Sequence, residues 1–264
     1  MFNRYKLICC DVLFRMACRA AARSRNVIDM EFTKLQSHNE PDVLRKIIQE
    51  LIDKADSEKI YDAVLLGFGL CGNSTAGLVA RSQKLVIPRA HDCCTLFLGS
   101  RKKFADCFGE RLSAQWSSHG YLERSGKYKG GIDYDKNIGF SREYSELVEQ
   151  YGEENAEYIW ETLHPARHIG KDERIYIDVP PFDDKDGGDF HFKRFADAVR
   201  AETGADDANI QRLKGSTRLI DMLINGDWGG EFLIVPPGAT ISPLYDMEHI
   251  MQAAKNKTGD GSLS

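Results

Sequence analysis

No stretch of the chain approaches the roughly 20 consecutive apolar residues that a membrane span requires. The apolar run near the start, Leu7 to Met16, is broken by Asp11 and Arg15 and followed by Arg19, Arg23 and Arg25. With no small-residue cleavage site after it, the run reads as a first strand and its helix, and the protein is expected to be cytoplasmic. An excess of one charge is also missing. Lys and Arg total 35 against 40 Asp and Glu, giving a net charge of −5 spread along the chain. That balance excludes the field of a general nucleic-acid binder or of a protein drawn to an anionic membrane. The seven cysteines are odd in number and include no CxxC pair. They spell neither an extracellular disulfide framework nor a structural zinc motif, so reduced thiols are expected.

What is present is a globular composition, 264 residues of which 42% are apolar, enough for a sizeable core. Strand and helix signals alternate. Tyr5 to Cys10 is a short apolar run and Val12 to Ala22 has helical spacing. Val27 to Phe32 alternates as a strand does. Pro41 suits the first turn of a helix whose Val43, Leu44, Ile47, Ile48, Leu51 and Ile52 share a face. Ala63 to Leu66 and Leu85 to Ile87 are further strands, with a short helix expected over Ser74 to Arg81 between them. Trp116 to Phe140, rich in Gly, Ser, Lys and Tyr, reads as a loop or lid. Beyond it, Glu143 to Glu161 reads as helix, Arg174 to Val179 as strand, Phe192 to Val199 as helix, Ile210 to Leu213 as strand, Leu219 to Ile224 as helix and Glu231 to Val235 as strand.

This grammar predicts an α/β fold, a Rossmann-like, mostly parallel sheet with helices on both faces and an irregular lid-like insertion. Residues 1–254 are expected to form one domain, with sub-lobes 1–112 and 170–254 joined by 113–169 and a flexible tail over 255–264.

Ligands of parallel sheets bind beyond the carboxyl ends of the strands. Three expected strands end in reactive groups: Cys9, Cys10 and Asp11 after the first, Cys71 after the third, and Arg89, His91, Asp92 and Cys93 after the fourth. Thiolate and imidazole donors suit zinc first and iron second. Cys71, His91 and Cys93 are therefore candidate ligands, with Cys9 or Cys10 as a fourth. Arg89 and Arg101 are candidate contacts for an anionic group, with Gly69, Gly72, Asn73 and Ser100 supplying an amide-rich turn. Asp92 and Glu123 are candidates for proton transfer. Set against this, most free cysteines are small core residues, which is the reading preferred for Cys18, Cys94 and Cys107. Gly99-Ser100-Arg101 equally fits a plain helix C-cap. Without a metal, Cys71 becomes a nucleophile or acid/base thiol, with Cys9, Cys10 or Cys93 as its partner in a cofactor-independent isomerase.

Gly67, Gly69 and Gly72 spell GxGxxG, and Asp92 lies about 20 residues downstream. The strand is not the first of the fold, however, and the acidic position sits past a proline in a His/Cys cluster, so NAD is not the expected cofactor. His164 and His168 are four apart, but Pro165 between them argues against a helical ligand pair. The loop of Asp183, Asp184, Asp186, Asp189 and His191 lacks calcium-loop spacing and reads as a solvated turn.

Several blocks carry a resemblance: Cys9-Cys10-Asp11-Val12-Leu13, Tyr61-Asp62, Gly69 to Asn73, Pro88 to Cys93, Leu98 to Arg101, Gly120 to Arg124, Tyr151-Gly152 and Phe232 to Gly238. With these the chain resembles the bacterial and archaeal family known as domain of unknown function 1638. It departs from the family pattern at His119, where Gly120-Tyr121 replace a proline-glycine-tryptophan-like turn. The resemblance implies a place near corrinoid-dependent methyl transfer, with a corrinoid protein or methyltransferase as partner. The resulting expectation is a metal-dependent transferase or lyase acting on a small anionic, thiol or methylated substrate. The alternatives are a non-catalytic metal or cofactor carrier of a methyltransferase system and the metal-free cysteine isomerase.

Overall fold

The computed structural model describes residues 2–34, 41–108, 115–125, 153, 174–180, 182, 189–203, 210–244 and 249–255. The chain divides into two compact units, one made of residues 1–101 and 216–264 and the other of 102–215.

The first unit begins with β1 (Arg4–Cys10), buried along all but its first residue, as suits a central parallel strand covered on both faces. A 3₁₀ turn, Asp11–Leu13, leads into α1 (Phe14–Arg23), which buries Met16, Ala17 and Ala20. After β2 (Val27–Thr33) comes α2 (Pro41–Glu58), with proline at its first position. Its buried stripe is Leu44, Ile48, Ile52 and Ala55, whereas Val43 is exposed; the apolar face is narrower than the sequence spacing suggests. Strands β3 (Ala63–Gly67) and β4 (Leu85–Pro88) are buried throughout.

Helices α3 (Cys93–Leu98) and α4 (Arg101–Phe108) follow, with α4 running into the second unit. The chain later returns to the first unit for four more elements. These are α7 (Arg218–Asn225), β8 (Phe232–Val235), β9 (Ala239–Pro243) and β10 (Met251–Lys255).

The five-stranded sheet has the order β2-β1-β3-β4-β8. Its first four strands are parallel and β8 runs antiparallel to β4. Neighbouring residues of β2 show that helices cover both faces, because adjacent side chains on a strand point oppositely. Phe32 packs on Phe14 of α1 with ring centroids 4.9 Å apart, while Glu31 pairs with Lys54 of α2 at 3.4 Å. Helix α7 packs beside α1. The α/β fold with a mostly parallel sheet is thus the one the sequence grammar predicts.

The helix expected over Ser74 to Arg81 does not form. Residues 71–77 are turns, and the chain beyond them is zipped onto β9. Gly77 and Ile241 donate their N–H groups to the carbonyls of Ile241 and Leu78 at 2.7 and 3.0 Å, and Ala80 donates to Ala239 at 2.9 Å. Leu78 and Ala80 are buried by that pairing. The hairpin β9–β10, which lies against β8, carried no clear sequence signal.

The second unit holds a three-stranded parallel sheet, ordered β5 (Gln115–Ser118), β6 (Arg174–Asp178), β7 (Ile210–Lys214). Helices α5 (His119–Ser125) and α6 (Phe190–Thr203) accompany it. Tyr176, Phe195 and Val199 form its core, with Leu122, Phe192 and Ile210 against them. The start of the expected lid is therefore regular structure: Trp116 is fully buried in β5 and meets Tyr121 edge-on at 5.0 Å. The remainder of that lid, the helix expected over 143–161 apart from Glu153, the His164/His168 pair and Asp183, Asp184 and Asp186 lie outside the described residues. Among the described residues no helix is long and apolar enough to cross a membrane.

Candidate functional site

Strands β1, β3 and β4 are parallel neighbours, so the three reactive strand ends leave one edge of the sheet. The loops after β3 and β4 are tied by backbone: Leu70 N–H donates to the Ala90 carbonyl at 2.8 Å and Cys71 N–H to that of His91 at 2.9 Å. The tie needs Gly69, because a Cβ there would lie 2.7 Å from the Ala90 oxygen and 2.8 Å from the Asp92 nitrogen.

Cys71, Gly72 and Asn73 then follow with φ of 48°, 65° and 65°. The left-handed conformation costs roughly 1–2 kcal/mol at Cys71 and less at Asn73, whose short polar side chain tolerates it, so the run is held from outside. Ser74 donates its hydroxyl to the Cys71 carbonyl at 2.7 Å, Thr75 donates to the Gly69 carbonyl at 3.0 Å, and Arg45 of α2 donates to the Asn73 carbonyl at 2.9 Å. Ser74 and Thr75 are fully buried. The sequence reading missed these braces, although Ser and Thr directly after a glycine turn are the residues that close such turns with their hydroxyls. The left-handed run also explains why no right-handed helix follows the third glycine of GxGxxG.

This turn buries the Cys71 thiol. Its pKa is pushed up to about 12, chiefly by burial and then by the charge of Asp92, while the backbone N–H groups of Gly69 and Cys93 act in the opposite sense. Burial raises the Cys10 thiol as well, with Cys71 and Asp11 among the charges around it. At this edge the Cys71 thiol therefore lies near Asp92 and the backbone of Cys93, with Cys10 at the end of the neighbouring strand. Cys9 lies one residue before the end of β1, and its thiol donates to the Cys10 carbonyl at 3.4 Å. It stands in register with Gly67, donates to the Gly67 carbonyl at 3.6 Å, and a Cβ on Gly67 would meet its sulfur at 2.4 Å. Cys94 is buried inside α3 and Cys18 and Cys107 are partly buried, all without disulfides.

Asp92 caps α3, accepting the N–H groups of Cys94 at 3.0 Å and Thr95 at 3.4 Å. Its place just before Cys-Cys-Thr was the available signal for this. Gly99, with φ 75°, is the C-cap of α3, the plainer of the two roles weighed for that loop; Ser100 follows it. Both arginines have structural bonds. Arg89 donates to the carbonyls of His249 and, very closely, Met251, and Arg101 donates to the Gly230 carbonyl at 3.5 Å. His91 contributes its carbonyl to the loop tie. Glu123 belongs to the second unit, 3.8 Å from His191 Nε2. His119 is buried there, its ring 5.0 Å from that of Phe182. Among the described residues no group of three or more His, Cys, Asp or Glu side chains is placed to hold a metal ion.

Neither the curated proteins nor the solved structures hold a match to this chain. One family model matches, described as "Protein of unknown function (DUF1638)", and it spans residues 32–216. The span takes in the Gly69 to Asn73 and Pro88 to Cys93 blocks and leaves out Cys9 to Leu13 and Phe232 to Gly238. It covers well over half of the 264 residues, and the chain belongs to this family.

Proposed function

We propose that the chain binds a small molecule at the carboxyl edge of its five-stranded sheet, with the Cys71 thiol as the group that meets it. The observation that carries this reading is the left-handed Cys71-Gly72-Asn73 turn, held by Ser74, Thr75, Arg45 and the loop after β4. Strained backbone that its surroundings over-determine is characteristic of binding and catalytic sites, and the residue that heads this run is a buried thiol under the influence of the Asp92 charge.

The state of the thiol narrows the chemistry. A thiol pushed up to about 12 is protonated at neutral pH, so in the ligand-free protein it is a neutral, soft contact and not a standing nucleophile. Such a group suits a ligand that presents a soft atom, a thiol, thioether or methylated sulfur, or one whose cationic partner displaces the thiol proton. A divalent transition metal, zinc before iron, belongs to the second version. It would need donors beyond those the described residues bring together. A role in one-carbon metabolism beside a corrinoid protein or methyltransferase belongs to the same proposal and rests on the family resemblance alone.

The test is to denature protein purified without oxygen and a His tag, and to measure released small molecules by mass spectrometry and metal by plasma mass spectrometry. Wild type is compared with Cys71→Ser. A species enriched in wild type and lost from a folded variant supports the reading, and a metal among the losses selects the cofactor version. Indistinguishable extracts from two folded proteins, both enriched in the same species, would remove Cys71 from the site.

A further inference from the structure

The two ends of the five-stranded sheet are finished differently. At the β8 end the chain supplies its own cover, the hairpin β9–β10, with Arg89 bonded to the His249 and Met251 carbonyls of that region. At the other end β2 pairs with β1 over all seven of its residues, and among the described residues no strand pairs with its outer side. Natural sheets blunt such an edge with proline, charged side chains (lysine above all), a bulge or a covering helix or loop. Residues 27–33, Val-Ile-Asp-Met-Glu-Phe-Thr, contain neither proline nor lysine, and the continuous register with β1 leaves no room for a bulge.

Its two acidic residues are already matched. Asp29 is bonded by Arg4 at 2.8 Å and Glu31 by Lys6 at 2.7 Å and Lys54 at 3.4 Å. The opposite face of the strand is apolar, made by Ile28, Met30 and Phe32 with Phe14 of α1 beside them. Met30 is 37% and Phe14 38% exposed.

We infer that two copies of this chain associate by antiparallel pairing of their β2 edges about a two-fold axis at Met30, joining two five-stranded sheets into one. An edge strand pairs with its own copy under closed symmetry only in the antiparallel sense. With the axis at Met30 the whole strand overlaps, and Ile28 stands opposite the partner's Phe32 on the apolar face. On the other face Asp29 stands opposite the partner's Glu31, and each brings its own cation, so matched ion pairs meet there instead of bare carboxylates. A one-residue shift would place the apolar face of one copy against the charged face of the other.

The full chain is examined by light scattering coupled to size exclusion, from micromolar to hundreds of micromolar. The expected mass at the upper end is twice the 29.8 kDa of the chain, falling by half in Met30→Lys with an unchanged circular dichroism melt. Met30→Cys, oxidised with copper phenanthroline, is expected to give a disulfide-linked dimer several-fold above wild type and above Ile60→Cys, an exposed position elsewhere. Three results overturn the inference: a single-chain mass at every concentration, a dimer unaffected by Met30→Lys, or cross-linking of Met30→Cys no greater than in the controls.

Discussion

The carboxyl ends of the two parallel sheets are built by different means. In the first unit the strand-end loops are joined backbone to backbone, through Leu70 to Ala90 and Cys71 to His91, with Gly69 letting the chains pass. In the second unit the corresponding edge is organised by side chains: His119 against Phe182, and His191 beside Glu123. A backbone tie leaves no rotamer by which a misfit can be relieved, whereas rings and carboxylates adjust. The first edge is therefore the one where small substitutions travel into the loops, and the second is held mainly by what lies beneath it.

The largest effect should come from beneath the second edge. Trp116→Ala removes a fully buried ring and is expected to cost about 3–5 kcal/mol in urea unfolding. A loss under about 1 kcal/mol would mean that β5 is not part of a packed core. Next comes Gly69→Ala, whose Cβ would meet backbone atoms of Ala90 and Asp92 at under 3 Å. A loss of about 1–3 kcal/mol is expected from such overpacking, and neutrality would show that the tie has slack.

Asp92 separates capping from chemistry. Asp92→Ala should cost about 1 kcal/mol through the lost cap, whereas Asp92→Asn should stay within about 0.5 kcal/mol, since asparagine caps comparably. Equal losses in urea unfolding would show that the charge, and not the cap, is what α3 uses.

The pH dependence follows from the buried thiols. The folded state holds the Cys71 proton up to about 12 and raises Cys10 too, against about 8.5 for an unfolded cysteine. A group whose pKa is raised on folding contributes its full stability below the unfolded pKa, and loses it as pH climbs through the folded one. The melting temperature should therefore fall above about pH 8.5, and fall less steeply in Cys10→Ser/Cys71→Ser. Parallel slopes for the two proteins would assign the loss to other groups. The smallest effect is expected at the second edge itself. Glu123→Gln should change stability by less than about 1 kcal/mol, because the pair with His191 is loose and partly solvated, and a larger loss would erase the contrast between the edges.

Much of the fold was legible because burial writes itself into spacing. The apolar runs before Cys10, Gly67 and Pro88 became β1, β3 and β4, and Pro41 marked the start of α2. That these strand ends share an edge was legible at one remove, since strands joined by helices lie parallel and near each other. The left-handed conformation of Cys71 was hidden, because cysteine rarely takes it and the restraint comes from Arg45 and from residues 90–91, whereas Gly72-Asn73 beside it are ordinary left-handed turn residues. The extended chain at 77–80 was hidden for a related reason: its pairing partner lies some 160 residues away at Gly238 to Ile241. The place of Trp116 in a strand was hidden because the glycines and lysines after it have no regular period, although the ring itself was the signal of a core position.

By itself, the sequence determined most strands and helices of the five-stranded sheet, though not the extended chain at 77–80 or the β9–β10 hairpin, and that thiols, an imidazole and carboxylates follow β1, β3 and β4. Those properties depend on local spacing and on the cost of leaving apolar surface in water. Only the tertiary structure decided that Cys9 packs on Gly67 while Cys71 heads a left-handed turn, that Asp92 caps a helix, and that Arg89 and Arg101 bond to carbonyls. These are facts about which groups meet across long stretches of chain, and a one-dimensional pattern carries no record of them until the backbone hydrogen bonds have chosen the partners.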